Sequence, residues 1–136
     1  MLVEQYRMND SIMNWSSNAL YHGKLVAHPD VKDRVVDELM SKQKLEEQVD
    51  SELISQPLVI IDTAGSLMSE GMDEKNPRNG ISESKYNNGE ADLVIQSVIE
   101  MQTDLGLSAD NIGIISPYNA QVNLIKKQMR HHLKPN

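Results

Sequence analysis

Two stretches of the 136-residue chain hold side chains whose types and order could do chemistry. The first is Ser116-Pro117-Tyr118-Asn119-Ala120-Gln121, which follows the apolar run Ile112-Gly113-Ile114-Ile115 and precedes a helical pattern. A strand end that runs into a helix start presents free backbone N–H groups to an anion. In an open parallel sheet such corners are where ligands bind. Ser116 adds a hydroxyl, and Gln121 on the first helical turn faces the same edge, so the corner suits a phosphate of a nucleic-acid backbone. An ordinary strand-to-helix corner accounts for the same residues. The second stretch is Gln5-Tyr6-Arg7-Met8, a ring beside a guanidinium just before a helix. A tyrosine can stack on a purine, and an arginine that reaches a γ-phosphate stabilises charge in phosphoryl transfer. A Tyr-Arg pair also arises often by chance.

Other candidates are weaker. Asp62-Thr63-Ala64-Gly65 follows the run Leu58-Val59-Ile60-Ile61, and an Asp-x-x-Gly after a strand can hold magnesium in a GTPase. That chemistry needs a Gly-x-x-x-x-Gly-Lys-Ser/Thr loop upstream, which the sequence does not contain; a strand ending in a turn is the simpler account. His22, His28, His131 and His132 have no carboxylates spaced to complete a metal site, so they read as solvated or capping residues, with no metal ligand set. Trp15 and the eight methionines read as core and gap filler.

The elements that must position these residues follow from periodicity. After a short strand at residues 2–6, Asn9 or Asp10 caps a helix to about Tyr21, with Ile12, Trp15 and Ala19 on one face and Gly23 as its stop. Asp30 to about Met40 reads as a second helix opened by Pro29, and Lys42–Ser55 as a weak surface helix or a linker. Residues 57–62 and 112–116 are apolar and β-branched without alternation, as parallel strands buried on both faces are. Residues from about 65 to 88, rich in glycine and serine, read as a long acidic loop. Asn87 with Glu90 three residues on opens a helix carrying Ala91, Val94, Ile95, Val98, Gln102 and Leu105 on one face. Gly106 closes it, 109–111 turns the chain, and Val122, Ile125 and Met129 mark a last helix. The order strand, helix, strand, helix predicts a right-handed βαβ unit with a trailing helix in an α/β fold.

Composition narrows the function classes. The chain has 39% hydrophobic residues and no cysteine, so packing without disulfides or thiol chemistry must hold it. No apolar run approaches the ~20 residues that cross a bilayer, and the opening Met1-Leu2-Val3-Glu4-Gln5 has an acid where a secretory signal carries lysines. No membrane partner is expected, and an intracellular setting, nuclear or cytoplasmic, is. The net charge of −7 opposes self-sufficient nucleic-acid binding. Thirteen acids against five bases lie in residues 35–92, whereas the two ends together carry seven acids and eight bases. A polyanion would meet the ends.

Taken together, residues 2–8, Tyr21-His22-Gly23-Lys24-Leu25, Ser84-Lys85-Tyr86-Asn87-Asn88-Gly89-Glu90-Ala91 and residues 112–121 resemble the first half of the second RecA-like domain of superfamily-1 helicases of the nonsense-decay and Dna-two type. Leu25-Val26-Ala27-His28 and residues 59–65 look most like the immunoglobulin mu-binding protein branch, which includes the helicase associated with DNA polymerase alpha. The resemblance covers nearly the whole chain, residues 1–136, as an incomplete domain. It implies a three-layer RecA-like fold of the P-loop NTPase type, a parallel sheet with flanking helices. It also implies roles. Tyr6 would stack on the adenine of ATP and Arg7 would be the arginine finger at its γ-phosphate, with Gln5 beside them at the nucleotide. Ser116, Pro117, Tyr118 and Gln121 would lie along a path for single-stranded DNA or RNA. ATP and Mg2+ would be bound mainly by a preceding RecA-like domain, because this sequence has no phosphate-binding loop and no Asp-Glu pair for magnesium, and it stops before the family's Gln-Gly-x-Glu and second arginine motifs. Alone the chain is expected to be inactive. The alternative is a non-catalytic acidic interaction module with a degenerate RecA-like fold.

Overall fold

Two short parallel strands carry the amino-terminal motif. In the computed structural model, which describes residues 3–41, 44, 56–73 and 84–132, β1 (Glu4–Gln5) pairs with β2 (Val26–Ala27), Glu4 opposite Val26 and Gln5 opposite Ala27. The crossover between them is α1 (Asp10–Tyr21), since parallel neighbours need a connection of a dozen or more residues. Asn9 is its cap: Oδ1 accepts the Ser11 N–H at 2.8 Å, while Nδ2 donates to Arg34 O at 2.8 Å. The helix closes through His22 and Gly23, with φ of 54° and 71°, and the Gly23 N–H donates to Ser17 O at 2.9 Å.

The buried side of α1 is Met13 and Ser17 rather than the expected stripe of Ile12, Trp15 and Ala19; Trp15 is 71% exposed and is not core. A hydroxyl turns inward here because it has a backbone acceptor to meet. Ser17 Oγ donates to Leu25 O at 2.8 Å, which fixes the helix against the approach to β2 on that face. The expected helix over Asp30–Met40 is instead a single turn, α2 (Pro29–Lys32), followed by a 3-10 turn at Val36–Leu39. Arg34 O is taken by the Asn9 side chain and Val35 is extended at φ −127°, so the helical ladder stops between them. The reading of Lys42–Ser55 lies outside the described residues, Lys44 excepted.

The chain divides into two compact units, residues 1–61 and 62–136. Within the second, β3 (Glu70–Asp73) pairs antiparallel with β4 (Ser84–Asn87), Glu70 opposite Asn87 and Asp73 opposite Ser84. This corrects the loop reading of residues 65–88, of which 74–83 lie outside the described residues. Glycine hid the strand: a Cβ on Gly71 would stand 2.5 Å from Cζ of Tyr86, so the strand uses glycine where a ring lies across it. Next, α3 (Asn88–Thr103) starts as the Asn87–Glu90 spacing predicts, with Asn87 Oδ1 accepting the Glu90 N–H at 3.1 Å. Its face of Ala91, Ile95 and Val98, with Leu105 beyond its end, is buried. A 3-10 turn at Ala109–Asn111 leads on to α4 (Asn119–His132), which buries Ala120, Gln121 and Ile125.

The two runs expected to be buried parallel strands, 57–62 and 112–116, join no ladder among the described residues, so the βαβ unit is not formed there. Ile60 is 81% and Ile115 97% exposed. A continuous apolar run becomes a buried strand only with strands beside it and layers over both faces. The described residues give these runs neither. No helix among the described residues is long and apolar enough to cross a membrane.

Candidate functional site

The turn that leaves β1 carries Tyr6 and Arg7, and Gln5 builds it. Gln5 is buried; its Oε1 accepts the N–H groups of Arg7 at 2.7 Å and Met8 at 2.9 Å, and its Nε2 donates to Met8 O at 2.7 Å. Gln5, expected beside the nucleotide, therefore spends its carboxamide on the chain and braces the turn at Arg7 and Met8. Tyr6 is 61% exposed. Its hydroxyl donates to Glu4 Oε2 at 3.1 Å, and one face of its ring stacks on His28 with centroids 4.0 Å apart and planes 25° from parallel. That hydroxyl bond raises the Tyr6 pKa above its ordinary value, and desolvation and the negative charges of Glu4 and Asp30 act in the same direction. Arg7 is exposed, and its guanidinium has no hydrogen bond or ion pair among the described residues. A flat ring with an outward face and an unpaired fork of donors on adjacent residues can take a base and a phosphate.

The second candidate corner lies in the other unit. Ser116 and Pro117 precede α4, and the Ser116 hydroxyl accepts the Tyr118 N–H at 3.4 Å. The first turn of α4 is not open to an anion throughout, because Ser84 Oγ from β4 accepts the Ala120 N–H at 2.8 Å. Gln121, expected to face a nucleic acid, is 8% exposed and is paired with Asn87 twice: Oε1 accepts the Asn87 N–H at 2.7 Å and Nε2 donates to Asn87 O at 3.2 Å. Its carboxamide mimics a neighbouring strand and ties α4 to β4. Ser116, Pro117, Tyr118 and Gln121 do come together, around a cleft of about 170 Å³ that Lys85, Tyr86 and Glu90 also line. Tyr118, 43% exposed, is the ring there. Lys85 pairs with Glu70 at 2.9 Å.

Asp62 Oδ1 accepts the Ala64 N–H at 2.9 Å and Gly65 has φ 77°, the geometry of a turn rather than of a metal ligand held open. Two contributors escaped the sequence reading. His28 was expected only as a cap or a solvated ring; it does cap α2, with Nδ1 accepting the Asp30 N–H at 3.2 Å, but it also backs Tyr6. Ser84 caps a helix 36 residues away. Neither carries a local signal, since both act across strands too short for their register to be read.

Comparison with known proteins adds a family. A family model described as an AAA domain matches residues 1–136. The chain is 40% identical over 129 residues to DNA-binding protein SMUBP-2 of Mesocricetus auratus, a match that covers 95% of this chain and 12% of that protein. It is 37% identical over 130 residues to DNA polymerase alpha-associated DNA helicase A of Saccharomyces cerevisiae, covering 96% of this chain and 18% of that protein. An uncharacterized ATP-dependent helicase of Methanocaldococcus jannaschii is 30% identical over 133 residues, with 97% and 18% covered. The chain thus spans less than a fifth of each of these relatives.

Proposed function

Because the chain belongs to the superfamily-1 helicases of the AAA domain family, we propose that it furnishes one wall of an ATP site and a stretch of single-strand path in an ATP-dependent DNA or RNA helicase. The observation that carries this reading is the braced turn: Gln5 holds the backbone of Arg7 and Met8 so that an exposed ring and a guanidinium without a partner among the described residues project from adjacent positions. In this reading Tyr6 stacks on the adenine. Arg7 meets the γ-phosphoryl group as its negative charge spreads over the equatorial oxygens, which is where a guanidinium lowers the barrier most. Gln5 positions both without touching the nucleotide. A preceding RecA-like domain would hold the triphosphate and Mg2+, which when bound would supply charge to polarise the phosphates, and the chain by itself would turn over no ATP.

In the same proposal residues 57–62 and 112–116, which join no ladder among the described residues, become strands of a three-layer RecA-like sheet only in the complete helicase, and residues 1–136 are the first half of that domain. Tyr118 and the Ser116-Pro117 corner touch the strand, base on ring and phosphate on hydroxyl. Gln121 acts one step back, fixing the corner to β4.

The test is Arg7→Ala in the complete helicase. ATP turnover should fall by about 10³ or more, while affinity for a single-stranded oligonucleotide stays within a few-fold of the parent. Arg7→Lys should recover little, because a point charge does not reproduce the planar fork. Unchanged turnover in Arg7→Ala would overturn the assignment and leave the acidic interaction module as the better account.

A further inference from the structure

We infer that His28 is the back plate of the base platform: it holds the Tyr6 ring upright from behind, so that the ring's opposite face is presented to the purine of a nucleoside triphosphate. This rests on the reading of Tyr6 as the base-stacking residue and adds a positioning residue to it.

Strand register sets the two rings beside each other. Gln5 and Ala27 are partners in the parallel pair of β1 and β2, so the next residues, Tyr6 and His28, leave the carboxyl ends of neighbouring strands side by side. Parallel strands deliver such residues in the same direction, toward the edge where ligands bind in this class of sheet. His28 is the better anchored of the two. Its backbone N–H donates to Gln5 O at 2.9 Å, its Nδ1 accepts the Asp30 N–H at 3.2 Å, and only a quarter of its side chain, 25%, is exposed. With its backbone and its Nδ1 both bonded, the imidazole has a restricted plane. Tyr6 has one polar tie, from its hydroxyl tip to Glu4, and would swing about its first two side-chain torsions without a surface behind it. The ring stacked 4.0 Å away removes that freedom. A platform whose rotamer is fixed before the ligand arrives loses less entropy on binding. The outward face of Tyr6 meets no other ring among the described residues.

His28 does two separable things, capping α2 and backing Tyr6, and two substitutions divide them. His28→Asn removes the ring but keeps a side-chain acceptor at a helix start, where asparagine is among the best caps. His28→Phe keeps a ring and loses the cap. In the complete helicase with saturating single-stranded oligonucleotide, His28→Asn should raise KM for ATP about two- to tenfold, the range of one aromatic contact, with kcat within about twofold. His28→Phe should keep KM within about twofold of the parent while melting at a lower temperature. The reverse pattern, a normal KM in His28→Asn and a raised KM in His28→Phe, would overturn the inference and reduce His28 to a cap. Tyr6→Leu separates the two levels of the argument. If Tyr6→Leu raises KM and His28→Asn does not, only the back plate is refuted; if neither does, the base-stacking reading falls with it.

Discussion

At Tyr6 the hydroxyl and the ring face are set by different neighbours, and the hydroxyl can be read in solution. The Glu4 carboxylate accepts a hydrogen bond from the phenol O–H, and ionising Tyr6 would put two negative charges in contact while losing that bond. The neutral phenol is therefore favoured beyond the ordinary value of 10.0. The sign follows: the bond's contribution is whole below the unfolded value and fades as pH rises through the higher folded one. A spectrophotometric titration of the phenolate band, taken as the difference between the chain and its Tyr6→Phe variant, should give a midpoint above 10.0, and Glu4→Gln should bring it back down. A midpoint at or below the ordinary value would show that the Glu4 bond does not persist in solution. Residue types told part of this. The ring and guanidinium stand side by side in the sequence, but the two glutamines were assigned to ligands, and a carboxamide donates and accepts equally well to a ligand or to its own chain. Gln5 and Gln121 both chose the chain.

Between elements, the same carboxamide chemistry becomes a joint. Gln121 and Asn87 are 34 residues apart, and the two bonds between them occupy both main-chain polar groups of the residue that also caps α3. Gln121→Leu keeps the volume but leaves the Asn87 N–H buried and unpaired, which costs about 1–3 kcal/mol. Thermal or denaturant melting of the 136-residue chain should show this loss; an unchanged midpoint would mean that water replaces the glutamine and the joint is not structural. Caps were the most legible part of this scale: Asn87 works as the spacing predicts, and Asn9 is one of the two caps expected for α1, since a cap acts within three residues. The buried stripe of α1 and the β3–β4 pairing were not, because Ser17 faces inward for a bond to Leu25, and Gly71 lies in a strand for the sake of Tyr86. Both depend on a partner distant in sequence.

Over the whole molecule, the contrast between charge and apolar runs decides what the chain can be. Its acids crowd residues 35–92, while four-residue apolar segments at 58–61 and 112–115 interrupt a polar sequence. Their residue types pointed to strands because β-branched runs without alternation suit a sheet covered on both faces, but a ladder needs neighbours, and among the described residues these runs have none. Exposure here and burial in the proposed sheet give opposite forecasts for one substitution. Ile60→Lys and Ile115→Lys, at side chains 81% and 97% exposed, should change the stability of the 136-residue chain by no more than about 0.5 kcal/mol, as surface substitutions do. In the complete helicase each lysine would enter a strand with layers on both faces, where an unpaired ammonium costs several kcal/mol or expels the strand. Paired melting curves for the two lengths of protein should therefore diverge, with little shift in the short chain and a large loss in the long one. Equal small shifts in both would show that these runs stay at the surface in the helicase too, and the sheet would have to be built from other segments.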